Sequence, residues 1–248
     1  MASDKVAVVT GAAAGIGAAC AVRLAQDGIS VGVLDLDEQR CANTVRAVEE
    51  AGGRAVALGA DVSDRSQVAA AIGTLRAAFG PVTIAVNNAG VTDMTPFEEI
   101  TEELFRFVYG VNVLGPILVT QAVLPDMKLA QWGRIVNISS SSAQTGAARM
   151  ATYSSSKGAV ISLTRTLAQE LGPLGITVNT IPPGSILGTI MADANISPQG
   201  AEALAQSLPV RRVGAPDDIA NACAWLCAEA SGYVTGQTIG VNGGRVVA

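Results

Sequence analysis

The chain has 248 residues, 49% of them hydrophobic, with 16 Lys and Arg against 21 Asp and Glu and no histidine. A net charge of −5 without any run of Lys or Arg argues against nucleic acid and against an anionic membrane as partners. Four cysteines (Cys20, Cys41, Cys223, Cys227) form no C-x-x-C, and without histidine no metal site is expected. Free thiols fit a reducing cytosol, so a cytoplasmic protein is expected. The opening "MASDKVAVVTG" leads straight into a strand with no signal peptide, and no uninterrupted apolar run is long enough to cross a membrane.

In chain order, short apolar runs alternate with amphipathic stretches. "KVAVVT" precedes a helix from Gly15 to Gln26, with Gly28 just past its end. "SVGVLD" precedes a helix over 38–51, stopped by Gly52-Gly53, and "AVALGAD" one over 64–79, stopped by Gly80-Pro81. "VTIAVNNAG" leads to a helix over 101–127, and "GRIVNIS" to one over 152–171. "GITVNTIPPG" is followed by a looser segment, 187–209, then a helix over 216–228 and a last strand in "YVTGQTIGVNGG". The strands are continuous apolar runs, which implies burial on both faces and a parallel sheet between helices. The expectation is a single-domain α/β fold over 1–248, a doubly wound, Rossmann-like sheet of seven parallel strands.

"VVTGAAAGIGAA" places Gly11, Gly15 and Gly17 between a strand and the start of a helix. Backbone N–H groups and the helix dipole favour an anion there, and missing Cβ atoms admit a pyrophosphate. Asp35 ends the next strand, where an acid binds ribose hydroxyls and repels a 2′-phosphate. Neither Ala14 nor Leu36 supplies a cation to offset that repulsion, which favours NAD as cofactor. Tyr153 and Lys157 stand at i, i+4 on one helix face. With no histidine in the chain, a tyrosine whose pKa falls beside a lysine is the available general acid/base.

These residues resemble the short-chain dehydrogenase/reductase family over essentially the whole chain. The likeness lies in Thr10 to Gly17 (T-G-x-x-x-G-x-G), Asn87 to Gly90 (N-N-A-G), Asn112 in "GVNVLG", Ser140 in "NISS", Tyr153 and Lys157 (Y-x-x-x-K), and Pro183-Gly184. The resemblance implies a catalytic set of Asn112, Ser140, Tyr153 and Lys157. Ser140 polarises the substrate oxygen, with a shift to Ser139 or Ser141 as the alternative register. Lys157 also binds the nicotinamide ribose, and Asn112 holds a water of a proton relay. Cofactor contacts are expected at Gly11, Gly15, Ile16, Gly17, Asp35, Leu36, Asp61, Val62, Asn88, Ala89, Gly90, Tyr153, Lys157, Pro183, Gly184 and Ile186. Substrate contacts are expected at Ser142, Gln144, Met150, Leu187 and Met191. Arg149 is read as a structural arginine sooner than as a partner for an acidic substrate. The family's threonine after the proline-glycine turn is replaced by Gly188, with Thr189 next. Segment 187–209 is the expected substrate lid, with Leu187, Ile190 and Met191 on its apolar face.

The implied function is hydride transfer between NAD and a small secondary alcohol or ketone, in a homotetramer. Two alternatives stand beside it. One is a 3-oxoacyl-thioester reductase. The other is a catalytically silent nucleotide-binding or scaffold protein.

Overall fold

A computed structural model describes residues 5–189 and 197–247. Six parallel strands form its sheet: β1 (Val6–Thr10), β2 (Ser30–Asp35), β3 (Ala55–Gly59), β4 (Ile84–Asn87), β5 (Gly133–Ile138) and β6 (Ile176–Ile181). Their spatial order is β3-β2-β1-β4-β5-β6. The order reverses between β1 and β4, so the connections leave their carboxyl ends in opposite directions and open a crevice there.

Each strand feeds two cores, which is why its sequence does not alternate. In β1, Ala7 and Val9 face one cluster while Val6 and Val8 face the other. The first cluster is closed by α1 (Gly15–Gln26), α2 (Ala42–Glu50) and α9 (Pro216–Cys227), through Leu24, Val48 and Ile219. The second is closed by α3 (Arg65–Phe79), α5 (Gly115–Ala130) and α7 (Ala151–Leu171), through Leu75, Met127 and Leu171. A buried leucine side chain contributes roughly 1.5–3 kcal/mol through its removal from water. All four cysteines are free and buried.

The structure corrects three expectations. First, no seventh strand forms among the described residues. Residues 234–241 do run parallel to β6, with Thr180 N–H donating to the Gln237 carbonyl and Ile239 N–H to the Thr180 carbonyl. The ladder is broken because side chains replace several of its bonds. Val178 N–H goes to Thr235 Oγ1, and Asn179 bonds both Val234 and Gln237. Pro182 and Pro183 then remove two donors.

Second, segment 187–209 contains α8 (Pro198–Ser207), capped by Ser197 Oγ on Gly200 N–H. Ile190 and Met191 lie outside the described residues. Third, the helix expected over 101–127 is α4 (Glu102–Tyr109), a π-turn (Gly110–Leu114) and α5, one continuous rod to Ala130. That rod has the length and mean hydropathy (1.7) of a membrane span. Val108, Leu118, Val119, Val123 and Met127 on it are buried in the core, while Phe105, Phe107 and Leu114 are exposed. The short α6 (Ser142–Thr145) precedes α7.

Candidate active site

A cavity of about 680 Å³ occupies the crevice at the carboxyl ends of the strands. Its floor is cross-braced by Thr10 and Asn88. Thr10 Oγ1 accepts the N–H groups of Asn88 and Ala89 at 3.0 Å each. Asn88 Nδ2 returns bonds to the carbonyls of Thr10 (2.9 Å) and Gly11 (3.0 Å). The N-N-A-G segment and the glycine turn are therefore one rigid unit.

Gly11 has φ of +62°, and a Cβ there would meet Ala89 Cα at 2.8 Å. Gly17 serves packing instead. Its Cβ would sit 2.3 Å from the Gly11 carbonyl, so it lets the helix close on the turn and does not line the cavity. Gly11, Gly15, Ile16, Asp35, Leu36, Asp61, Val62, Asn88, Ala89, Gly90, Pro183, Gly184 and Ile186 all line it. Asp35 is locked by the N–H groups of Ala13 (3.1 Å) and Leu36 (2.9 Å). Arg40, unnoticed in the sequence, also lines the cavity, with Nη1 3.5 Å from Asp35 Oδ1. Its position on the turn after β2 could have flagged it.

At the other end, Tyr153 and Lys157 project from the first turns of α7. Against the expected fall beside Lys157, Tyr153 is 7% exposed and burial raises its pKa above the ordinary tyrosine value, the nearby Ser140 hydroxyl opposing the rise. Ser139, Ser140 and Ser141 all line the cavity, and the two flanking serines make other contacts. Ser139 is turned to Thr180, and Ser141 uses its N–H on the Pro183 carbonyl at 3.0 Å. Ser142 Oγ lies 3.0 Å from Ser140 Oγ and holds it in place. Burial pulls the Lys157 ammonium down to about 8. Lys157 Nζ donates to the Ile138 carbonyl at 3.0 Å and stands 5.8 Å from the centre of the Tyr153 ring. A Cβ at Gly90 would meet Lys157 Nζ at 3.0 Å, so the lysine passes directly over the N-N-A-G turn.

Asn112 is fully buried in the π-turn and does not line the cavity. Its Oδ1 accepts Val91 N–H, and its Nδ2 donates to the Val91 carbonyl and to Ser156 Oγ, each at 2.9 Å. The side chain ties the loop after β4 to α7.

Of the expected substrate contacts, Ser142 and Met150 line the cavity. Gln144 does not: it is exposed on the far side of α6, against Ile161 and Arg165. Leu187 also lies off the cavity, its N–H bonded to the Gly214 carbonyl. Met191 is outside the described residues. Arg149 is structural, its Nε and Nη2 both on the Met94 carbonyl at 3.2 and 3.0 Å. Thr189, one place beyond the family's position, lines the cavity. Sequence reading missed Thr92, Met94, Phe107, Val111, Ser185 and Arg245 as lining residues. Val111 and Ser185 adjoin the motif residues Asn112 and Gly184.

A turn with missing Cβ atoms, a locked acid at the second strand end and a buried Tyr-Ser-Lys set share one cavity. This arrangement fits a nicotinamide dinucleotide and defines a dinucleotide-dependent oxidoreductase. A family model described as enoyl-(acyl carrier protein) reductase matches residues 11–245. The 7α-hydroxysteroid dehydrogenase of Escherichia coli K12 is 37% identical over 98% of this chain and 94% of its own. The L-2,3-butanediol dehydrogenase of Corynebacterium glutamicum is 38% identical, covering 98% of this chain and 99% of its own. A crystal structure from Sinorhizobium meliloti 1021, described as a short-chain alcohol dehydrogenase, matches 98% of this chain and 96% of its own, with a TM-score of 0.93 and 33% identity. The chain belongs to the short-chain dehydrogenase/reductase family, and it is an oxidoreductase of that type.

Proposed function

We propose that this protein interconverts a secondary alcohol and a ketone with NAD(H) in preference to NADP(H). One observation carries the reading: Tyr153, Ser140 and Lys157 line the same cavity as the glycine turn and Asp35. Bound nicotinamide supplies or accepts the hydride. The protein handles the proton. In reduction, buried Tyr153 stays protonated and donates to the substrate oxygen, while Ser140 stabilises the charge developing there. In oxidation, Tyr153 must lose its proton, and the Lys157 ammonium favours the phenolate. Lys157 also presents donors toward the ribose, with Gly90 leaving room for it.

NAD preference rests on Asp35, whose carboxylate lines the ribose end of the cavity. Arg40 supports a second reading. Its guanidinium beside Asp35 offers a partner to a 2′-phosphate and narrows the discrimination. The two dehydrogenase relatives are named for a hydroxysteroid and a small diol, which bracket the size of the alcohol.

Assembly as a homotetramer in the cytoplasm completes the reading. Exposed Phe105 and Phe107 on α4 and Leu114 in the π-turn support pairing of those helices between subunits. The four free thiols support a reducing compartment. The test is a panel of cyclic, steroid, sugar and acyl-thioester carbonyls read by NADH and NADPH absorbance. Turnover with NADPH matching that with NADH would defeat the cofactor assignment. Light scattering checks the assembly.

A further inference from the structure

We propose that Arg245 grips an anionic group of the substrate, so that the alcohol or ketone turned over is a carboxylate-bearing hydroxy or oxo acid. This rests on the oxidoreductase reading and adds the charge of the substrate to it. Arg245 lines the same cavity as Ser140, Tyr153 and Lys157. A short chain of contacts ties it to the reacting end. Ser141, next to the catalytic serine, donates its N–H to the Pro183 carbonyl at 3.0 Å. Two residues on, Ser185 Oγ accepts from Arg245 Nη1 at 3.2 Å. Between them, Gly184 lies so close to the tail that a Cβ would meet Asn242 Cα at 2.9 Å.

The guanidinium is presented by a built turn. Asn242 is 9% exposed, and its Oδ1 accepts Gly244 N–H at 3.0 Å. Its Nδ2 donates to the Val246 carbonyl at 3.3 Å, and its own carbonyl accepts Arg245 N–H at 3.1 Å. Gly243 and Gly244, with φ of +64° and +84°, allow the reversal. Val210 N–H donates to the Gly243 carbonyl and fastens the turn to the segment after α8.

Charge partners are distributed unevenly. Nearby Arg212 spends its fork on Asp218 at 2.6 and 2.7 Å. Arg245 has no carboxylate partner among the described residues. The cavity's two carboxylates are occupied elsewhere, Asp35 with Ala13, Leu36 and Arg40, and Asp61 with Ser63. Among the described residues, the tyrosine end thus carries Lys157 and Arg245 and no lining carboxylate. A guanidinium fork with spare donors matches the geometry of a carboxylate.

The test compares 2-, 3- and 4-oxo acids of short chain with their methyl esters, in the parent and in Arg245→Met, Arg245→Lys and Arg245→Glu. The readout is the acid-to-ester ratio of kcat/KM within each protein, which a partly unfolded fraction leaves unchanged. The parent should prefer at least one acid by about thirtyfold or more, as expected of a site built to bond a group its competitor lacks. Arg245→Met should bring the ratio near one, Arg245→Lys should keep part of it, and Arg245→Glu should reverse it. A parent that reduces esters and acids alike overturns the proposal and leaves the oxidoreductase reading standing. A parent inert on every carbonyl with either cofactor overturns both. If Arg245→Met keeps the ratio and instead weakens NADH binding in a fluorescence titration, the guanidinium serves the cofactor's diphosphate and the proposal fails.

Discussion

Lys157 donates its ammonium to the carbonyl of Ile138, the last residue of β5, at 3.0 Å. The bond pins the helix that carries Tyr153 to the strand end whose continuation carries Ser140. It also means that a cation has been drawn out of water to stand beside Tyr153. Burial leaves its pKa at about 8 against an ordinary 10.5.

That displacement predicts a stability profile. Below pH 8 the lysine is protonated in both folded and unfolded chains, and the cost of burying the charge is fully present. Between 8 and 10.5 the folded chain releases the proton first, so the unfolded chain holds more protons and stability rises with pH. Above that window both forms are neutral and the cost is gone. Lys157→Met should therefore flatten the rise in Tm between about pH 7.5 and 9.5 relative to the parent, while abolishing turnover. An identical slope in both proteins would defeat the argument.

The same cation sets a pH profile for activity. Burial holds Tyr153 above its ordinary pKa, so the phenolate needed for oxidation depends on positive charge nearby, which Lys157 supplies only in its protonated form. In Lys157→Ala the rise of log kcat for oxidation should move to higher pH, and activity should fall. The profile is to be measured at saturating NAD, with a deuterated substrate confirming that hydride transfer limits the rate. An inflection that stays put would show that Lys157 does not tune Tyr153.

Tyr153→Phe keeps the ring and removes the proton. Carbonyl reduction should drop by on the order of 10³ or more, with NADH affinity within about threefold, because acid catalysis and its hydrogen bond are lost together. Ser140→Ala should cost less, about 10²-fold, since Tyr153 still donates. Single-turnover kinetics with NADH fluorescence separates the two effects. Turnover of Tyr153→Phe within tenfold of the parent would remove the assignment.

Cofactor choice can be divided between Asp35 and Arg40. NADH should exceed NADPH by at least about tenfold in kcat/KM, which is roughly 1.4 kcal/mol. Asp35→Ala should narrow the gap by removing the repulsion and freeing Arg40. Arg40→Ala should widen it. A parent with equal use of both cofactors contradicts the selectivity argument.

Asn112→Ala strips three hydrogen bonds from a fully buried site and leaves both polar atoms of the Val91 backbone without their side-chain partner. The loss should be about 2–4 kcal/mol in urea unfolding. Because the side chain acts through the loop after β4, kcat should fall as well, without a shift in the Tyr153 inflection. A displaced inflection would instead support a proton-relay role for this residue.

Much of this protein was determined by the order of its residues. Continuous runs such as "VAVVT" and "SVGVLD" can only be buried on both faces, and that sets a parallel sheet between helices. Gly11, Gly15 and Asp35 were legible because strand, turn and helix place them within one local unit. Tyr153 and Lys157 were legible because one helical turn separates them. Tertiary structure decided what depended on contacts between distant segments. The last strand dissolved into side-chain bonds along β6, since Asn179, Thr235 and the two prolines compete with the ladder. Ser140 and its neighbours reached the cavity together beyond the end of β5, and Gln144 was turned away by the short α6. Arg40 and Arg245 entered the cavity from a turn and a tail with no periodicity to announce them. A motif records local geometry, whereas the far wall of a crevice is built by whichever segments the core's packing carries there.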